Sequence, residues 1–430
     1  MWFESAVAQG VTSYVWFSMD DVHSRLPWAP SYKFNEDKTA VELSTSLHEL
    51  WWPRVLALSG STEWHMPFSV HLYKEQMKGQ ACQRKGPRST RGFDRCIWEF
   101  VGADGEAFSV PIFRATGTLN PEFARLFRVL FTAVMAYLDA HGWGDNGSWV
   151  QVIDEPTWSD NETLMDTLAM MRLYRSVDPR IKIFQTRLPT PSQFPDGKVP
   201  PSMDEVFGLV DFWCLHVCQW SEPGAPAQIA AHKHQRSLSP SRVPLRATLY
   251  NNGVPMIESP WQRVRSQAYA VWGSNGTLDG TLSWFTLNSW HGDMWRRDFP
   301  YNASAKIQRP AGWGMLLWPP PPRDAIGSAA ATAKPVESMR WVMLGAGIQD
   351  AEYLYELQTR AERNATIMSL LSEARALAYG FPVAWNPSCG NKSYGDEGYA
   401  VEDPASAALG SSHINELKLK LGRALGSTWD

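Results

Sequence analysis

Residues 148–156 read Ser-Trp-Val-Gln-Val-Ile-Asp-Glu-Pro, an apolar run that stops on two adjacent carboxylates, Asp154 and Glu155. Its β-branched and aromatic residues favour a buried strand, and the proline cannot donate to a strand ladder, so the strand should end there. Acids are costly in a core but suit the carboxyl ends of the strands of an α/β barrel, where active sites lie. Because neighbouring carboxylates repel, we expect the pKa of one to rise, which would make it a general acid near neutral pH. The alternative is that one of them caps the next helix.

Other residues near predicted strand ends are candidates for binding a substrate. Asp20-Asp21 is a rival acid pair that reads equally as a helix start. Tryptophan is unusually frequent, with 22 residues, and its flat face suits stacking on a sugar, with core packing as the alternative for every ring. The predicted substrate-binding residues are Trp213, Tyr250, Trp284, Asn288, Trp290 and Trp295. His216 and His291 are further candidates, although a lone histidine is more often structural.

Length and charge exclude several function classes. The 430 residues, 44% hydrophobic, fit one large α/β domain or two ordinary ones. A net charge of −4 gives no reason to expect nucleic acid or an anionic membrane as a partner. The sequence has no apolar run of about eighteen residues, so no integral membrane segment is expected. His232 and His234 are two positions apart on a predicted helix, where their rings do not face each other, so we expect no metal site there. No cofactor is expected either.

Asn-x-Ser/Thr sequons are more frequent than the about one or two that chance would give. They begin at Asn146, Asn161, Asn275, Asn302, Asn364 and Asn391. The excess predicts a glycoprotein of the secretory pathway, extracellular or lysosome-like. Because Met1 is followed by Trp-Phe-Glu-Ser rather than by a signal peptide, we expect the natural start to lie upstream. Of five cysteines, Cys82 and Cys96 bracket a loop and could pair.

Strand-like and helix-like segments alternate along the chain, which is typical of parallel βα units. Besides the strand that ends at Asp154, strands are predicted at 12–18, 68–73, 181–185, 210–215, 243–249, 281–287 and 312–317. Helices are predicted at 43–58, 121–141, 161–177, 226–236, 259–272, 335–357, 361–378 and 412–425. Residues 97–101 and 107–113 read as a hairpin, and the basic segment 74–95 reads as an exposed loop.

The alternation predicts an α/β fold, namely a (β/α)8 TIM-type barrel with a carboxyl-terminal helical extension. We expect the barrel to occupy residues 1–330 and the helices of 331–430 to pack on it. If the strand at 281–287 is the eighth, the strand at 12–18 is the second, and the first would lie upstream of Met1. A barrel that lacks its first strand exposes strand edges, so it would need another element for stability.

Four motifs between residues 121 and 357 resemble glycoside hydrolase family 123 and its relatives in the domain of unknown function 4091. They are His141-Gly-Trp143 followed by Asp154-Glu155-Pro156; Asp211-Phe-Trp213; Asp279-Gly-Thr-Leu-Ser-Trp284 with Asn288, Trp290 and Trp295; and Glu337-Ser-Met-Arg340 with Gly347-Ile-Gln-Asp350-Ala-Glu-Tyr353. Two features depart from the family. Gly345-Ala346 stands where it usually shows Arg-Asp, and we expect no counterpart of the family's amino-terminal β-sandwich in residues 1–430.

The resemblance implies a glycosidase that removes terminal β-linked N-acetylhexosamine, N-acetylgalactosamine above all, from glycolipids or glycoproteins. In this family the 2-acetamido group of the substrate is the nucleophile, which is why two acids can be neighbours. Glu155 would protonate the leaving oxygen and later activate water. Asp154 would bind the acetamide N–H and stabilise the oxazolinium charge.

Two other hypotheses stay open. One is a non-catalytic carbohydrate-binding barrel that keeps the tryptophans and has lost turnover. The other is a two-carboxylate glycosidase, in which Glu155 is the acid and Asp211, Asp279 or Asp293 is its partner. Carboxyl groups about 5 Å or about 6.5–9.5 Å apart across a cleft would favour the latter.

Overall fold

A computed structural model gives the fold of the chain. It describes residues 30–59, 64–68, 97–153, 155–220, 222, 224–239, 243–250, 261–282, 301–302, 307–308, 317–318, 336–337, 339–360, 364–385, 415–416, 419–420 and 422–423. The described residues fall into two compact units, and the division lies inside one strand, after Cys214. The first unit contains residues 30–214 and 232–245, and the second contains residues 215–231 and those from 246 onward.

The protein is a mixed α/β protein in which helices separate parallel strands. The main strands and helices of the first unit are β1 (Ser31–Phe34), β2 (Val41–Ser44), α1 (Ser46–Ser59), β3 (Ile97–Val101), β4 (Ala107–Pro111), β5 (Phe113–Ala115), β6 (Thr118–Leu119), α2 (Pro121–Ala140), β7 (Trp149–Gln151), α3 (Asn161–Val177), β8 (Lys182–Thr186) and α4 (Met203–Leu209). Next come β9 (Phe212–His216), α5 (Val217–Trp220), α6 (Ala225–Ser237), β10 (Arg246–Tyr250), α7 (Trp261–Gly273), β11 (Gly280–Leu282), β12 (Tyr301–Asn302), β13 (Ile307–Gln308), β14 (Leu317–Trp318), β15 (Val336–Glu337), α8 (Met339–Arg360) and α9 (Ala365–Trp385).

In the first unit, β7, β8 and β9 lie side by side. Trp149 of β7 pairs with Lys182 of β8, and Phe184 pairs with Phe212 of β9, all in parallel. Their carboxyl ends therefore meet at one edge of the sheet and their amino ends at the other. All three strands are buried along their length within this unit, as expected for parallel strands that are covered on both faces.

The helices α2 and α3 follow from local sequence signals. Asn120 accepts the N–H of Glu122 at 3.0 Å and Pro121 takes the first helical position, so both signals start α2 at the same residue. Asp160 caps α3 in the same way. The apolar face of α2 is buried, and Tyr174 of α3 lies edge-on to two stacked phenylalanines of that face. This packing forms a core between α2 and α3.

In the second unit, the end of β9 and the parallel pair β10–β11 lie in the order β9, β10, β11. The helix α7 packs against α8 and α9. The contact with α8 is close at Gly347, where a Cβ atom would lie 2.2 Å from the carbonyl oxygen of Arg265. Asp350, one turn further along α8, accepts Nε of Arg265 at 2.6 Å. A glycine is required at residue 347 because the backbone of α7 occupies the space of a side chain.

Most predicted elements are confirmed with shifted bounds. The helix at 161–177 and the hairpin of β3 and β4 match closely. Residues 43–44 belong to β2 rather than to the next helix, and Val336–Glu337 is a strand ahead of α8, so both predicted helix starts are wrong. The strand predicted at 12–18 and the loop 74–95 lie outside the described residues. So do nearly all of the strands predicted at 68–73 and 312–317 and most of the helix predicted at 412–425. The domain boundary at residue 330 stays a prediction.

Among the helices that the structure describes, none is long and apolar enough to cross a membrane.

Candidate active site

Glu155 follows a buried parallel strand, as predicted, and lies four residues beyond Gln151, the last residue of β7. Trp149, Val150 and Val152 leading to it are buried, and Glu155 itself is half-buried. Because β7 runs parallel to β8 and β9, Glu155 lies at the carboxyl edge of the three strands. This edge is the usual position of active sites in parallel α/β proteins. Asp154, the other acid of the pair, lies outside the described residues.

The backbone of Glu155 has an unfavourable conformation. Its φ is 41°, in the left-handed region that residues with a side chain seldom adopt. The next residue is Pro156, whose ring favours an extended conformation, with φ near about −120°, in the residue before it. Such outliers cost about 1–3 kcal/mol and persist only where surrounding contacts hold them.

Three polar side chains at the ends of β7 and β8 supply those contacts. Oγ1 of Thr186 accepts the peptide N–H of Glu155 at 2.6 Å. Nε2 of Gln185 donates to the carbonyl of Ile153 at 2.7 Å and to the carbonyl of Thr186 at 3.0 Å. Nε2 of Gln151 lies 3.3 Å from the same Ile153 carbonyl and 3.5 Å from Oγ1 of Thr186. The turn after β7 is therefore bound to the end of β8 on both sides of residue 154.

A buried histidine binds β7 from its other side. The peptide N–H of Gln151 donates to Nε2 of His65 at 3.2 Å, and Nδ1 of His65 lies 2.9 Å from the carbonyl oxygen of Met66. Since Nε2 accepts, it carries no proton. Nδ1 then holds the proton of a neutral ring and donates it to Met66. His65 thus fixes the strand that leads to Glu155.

Arg187 follows β8 with a second left-handed backbone, at a φ of 62°. Its N–H donates to the carbonyl of Cys214 at 3.1 Å, and its carbonyl accepts Nε1 of Trp158 at 2.6 Å. Arg187 and the polar trio Gln151, Gln185 and Thr186 were missed by the sequence reasoning. The signal available was a pair of polar residues, Gln-Thr, at the end of an otherwise mostly apolar strand.

Trp213 packs in the interior rather than beside an open edge. Its ring lies 5.7 Å from that of Phe207 in α4 and 6.5 Å from that of Trp158. Its side chain is fully buried, and within the described residues its indole N–H has no hydrogen-bond partner. A fully buried ring offers no free face to a sugar, so the structure favours the core alternative for Trp213.

Tyr250, in the second unit, is the last residue of β10. Its ring lies 5.1 Å from that of His216, the last residue of β9, at an interplanar angle of 76°. Both side chains are largely buried, and the peptide N–H of His216 donates to Oε1 of Gln219 at 3.3 Å. The two candidates are therefore neighbours at the carboxyl ends of adjacent strands, as their positions in the sequence suggested.

The remaining candidates lie outside the described residues. They are Asp154, Trp284, Asn288, Trp290 and Trp295, together with Asp20, Asp21, His291 and Asp293. In the part of the chain that the structure describes, no three His, Cys, Asp or Glu side chains come together as metal ligands.

Asp211 lies at the opposite edge of the sheet from Glu155, because it precedes β9 whereas Glu155 follows β7. Its Oδ1 accepts Nη1 of Arg236 at 2.8 Å, and its Oδ2 accepts Nη2 of Arg175 and, at 2.8 Å, the N–H of Ile183. The carboxylate is fully buried. It is therefore engaged by two guanidinium groups from α3 and α6 and is not available to a substrate.

Asp279 likewise precedes its strand, β11. Its Oδ2 accepts the N–H of Ala247 at 2.7 Å, which ties the amino ends of β10 and β11 together. Of the three acids considered as partners for Glu155, both described ones thus lie at the amino ends of strands.

No model of a known protein family matches the sequence, and no curated protein matches it either.

Proposed function

We propose that the protein is a glycoside hydrolase that removes terminal β-linked N-acetylhexosamine from glycolipids or glycoproteins, with Glu155 as its general acid and base. In this proposal the fold is completed as a (β/α)8 barrel. Glu155 protonates the glycosidic oxygen, the 2-acetamido oxygen attacks the anomeric carbon, and Glu155 then activates the water that opens the oxazoline. Asp154 orients the acetamide and balances the positive charge that develops on it.

The backbone of Glu155 is the observation that carries the proposal. An acid at the carboxyl end of a parallel strand has a left-handed φ of 41° and an N–H bound by Thr186 at 2.6 Å. Unfavourable backbone conformations of this kind concentrate at functional sites, where they aim a side chain. A helix-capping role would need no such conformation, since a capping residue has an extended backbone, as Asp160 does at α3.

The position of Asp211 favours the substrate-assisted reaction over a two-carboxylate one that uses this acid. A two-carboxylate glycosidase needs a second acid facing the first across the substrate. Asp211 lies at the amino edge of β9 and is bound by Arg175 and Arg236, so it does not meet this need. When the acetamide is the nucleophile, no opposing carboxylate is required.

A panel of aryl β-glycosides tests the proposal, with each sugar offered with a 2-acetamido and with a 2-hydroxyl group. The full chain should cleave only the acetamido sugars. Glu155→Gln should lose about 10²–10⁴-fold in kcat with poor leaving groups and less with activated ones, because only poor leaving groups need protonation. Asp154→Asn should slow both kinds alike. Glu106→Gln, at an exposed residue between β3 and β4, is the matched control and should behave as the wild type.

The same panel separates the alternatives. Equal cleavage of the 2-hydroxyl and acetamido sugars would exclude the acetamide as nucleophile and support a two-carboxylate reaction. Binding of N-acetylgalactosamine, measured by calorimetry, without turnover of any glycoside would instead support a carbohydrate-binding protein.

A further inference from the structure

The peptide N–H of Glu155 is bound by a side chain of the neighbouring strand. Oγ1 of Thr186 accepts this N–H at 2.6 Å and lies 3.5 Å from Nε2 of Gln151. A hydroxyl oxygen has two lone pairs, so these two donors can use its whole capacity as an acceptor. Thr186 and Gln151 are each 3% exposed and Glu155 is half-buried, so a Glu155 N–H that lost this acceptor would have restricted access to water as a replacement.

This bond opposes two local preferences of the chain. A residue with a side chain disfavours a positive φ, and a residue before proline favours an extended backbone. If Glu155 followed these preferences, φ would change from 41° to a negative value, and the bond from Cα to Cβ would point in another direction. The position of the carboxyl group therefore depends on a bond that fixes the peptide plane before Glu155.

We propose that Thr186 is a positioning residue, whose hydroxyl holds Glu155 in its left-handed conformation and thereby aims the carboxyl group at the substrate. The inference rests on the proposed role of Glu155 as the acid. Thr186 acts through Glu155 and needs no contact with the substrate. Gln151 and Gln185 complete the arrangement by hydrogen-bonding the carbonyl of Ile153, which belongs to the peptide immediately before the one that contains the Glu155 N–H.

The test compares Thr186→Val with Thr186→Ser in the full chain. Valine keeps the shape and removes the acceptor, whereas serine restores the hydroxyl. The matched control is Thr167→Val in α3, where the buried hydroxyl donates to the carbonyl of Thr163 at 2.6 Å and has no part in the turn. One readout is hydrogen exchange of the Glu155 amide, followed by mass spectrometry of short overlapping peptides; the other is kcat on the acetamido glycosides.

Thr186→Val should speed exchange of the Glu155 amide by about tenfold or more, because the amide loses its buried acceptor. It should lower kcat by about 100-fold on poor leaving groups, with a smaller loss on activated ones and little change in KM, since a misplaced acid impairs proton transfer more than binding. Thr186→Ser should stay within about threefold of the wild type in both readouts. Thr167→Val should leave both unchanged.

Failure of this inference and of the proposed function are distinguishable. If the wild type cleaves no glycoside, the catalytic assignment fails, and amide exchange still decides whether Thr186 holds Glu155. Unchanged exchange in Thr186→Val overturns the inference, and so does an equal loss of kcat in the valine and serine variants. If the valine variant does not fold, Thr186→Cys replaces it, because sulfur is a weak acceptor. If the Glu155 amide then exchanges no faster in Thr186→Cys than in Thr186→Ser, the inference is overturned.

Discussion

Removing the Asp211 carboxylate should make the protein much less stable to unfolding without changing its catalytic activity. The side chain of Asp211 is 2% exposed, and those of its partners Arg236 and Arg175 are 5% and 16% exposed. Asp211→Ala would remove the carboxylate partner of two guanidinium groups, which would keep only backbone carbonyl acceptors, and would leave the N–H of Ile183 without the Asp211 oxygen. Breaking a buried ion pair from one side costs about 3–5 kcal/mol, most of it the cost of the abandoned charge.

An exposed pair in the same unit provides the matched control. Asp139 accepts both terminal nitrogens of Arg180 at 2.8 Å, with the geometry of a bidentate pair. The two side chains are 45% and 42% exposed, and Arg180 also contacts Asp178. Since water and a second carboxylate remain available to Arg180, Asp139→Ala should cost no more than about 1 kcal/mol.

The assay is urea-induced unfolding of the intact chain, followed by tryptophan fluorescence, with turnover measured separately below the transition. Asp211→Ala should lower the free energy of unfolding by several times more than Asp139→Ala, while kcat of the folded protein stays near the wild-type value. Similar stability losses in the two variants would refute the reasoning about burial. A stable Asp211→Ala variant without activity would refute the purely structural role of Asp211 and make it a candidate catalytic partner of Glu155 again.

Three further predictions use other features of the fold. Gly347→Ala should destabilise the protein by about 2 kcal/mol or more, because its Cβ would lie 2.2 Å from a backbone oxygen of α7; Gly208→Ala, in α4 with no atom within 4 Å, should be neutral or stabilising by up to about 1 kcal/mol in the same unfolding assay. Burial lowers the pKa of His232 below its ordinary 6.5, so the unfolded chain binds more protons just below that pH. Its contribution should make stability fall as pH drops through about 6.5, and His232→Gln should remove that part of the decline in unfolding titrations. Expression in a secreting eukaryotic host should give a mass shift on deglycosylation, with Asn146 and Asn275 among the exposed acceptors; no shift would contradict the secretory assignment.

The elements that were predicted well are those whose signals are local. The helix α2 begins at Pro121 because Asn120 caps it, and its apolar residues recur at helical spacing. The strand β9 was predicted two residues early, because the apolar Val210 was read as its first residue although Asp211 follows it. In the structure Asp211 instead directs its carboxylate to Arg175 and Arg236 before the strand begins, a contact between segments distant in sequence.

In the candidate site, too, contacts between segments distant in sequence could not be predicted. Glu155 was predicted from an apolar run that ends in acids, but Thr186, its hydrogen-bond partner, becomes identifiable only once the register of β7 on β8 is known. The orientation of the Trp213 side chain could not be predicted from the sequence either. Parallel strands covered on both faces are apolar along most of their length, so no alternation shows which face a tryptophan takes.

The two edges of the parallel strands in the first unit have opposite energetic roles. At the amino edge, the buried Asp211 carboxylate is fully bonded, and removing it is expected to be costly. At the carboxyl edge, Glu155 and Arg187 both have left-handed backbones, each costing about 1–3 kcal/mol. A sequence selected for stability alone would place glycine or asparagine at such positions. That a glutamate stands there, with a buried hydroxyl on its N–H, supports the proposal that its carboxyl group acts on a substrate.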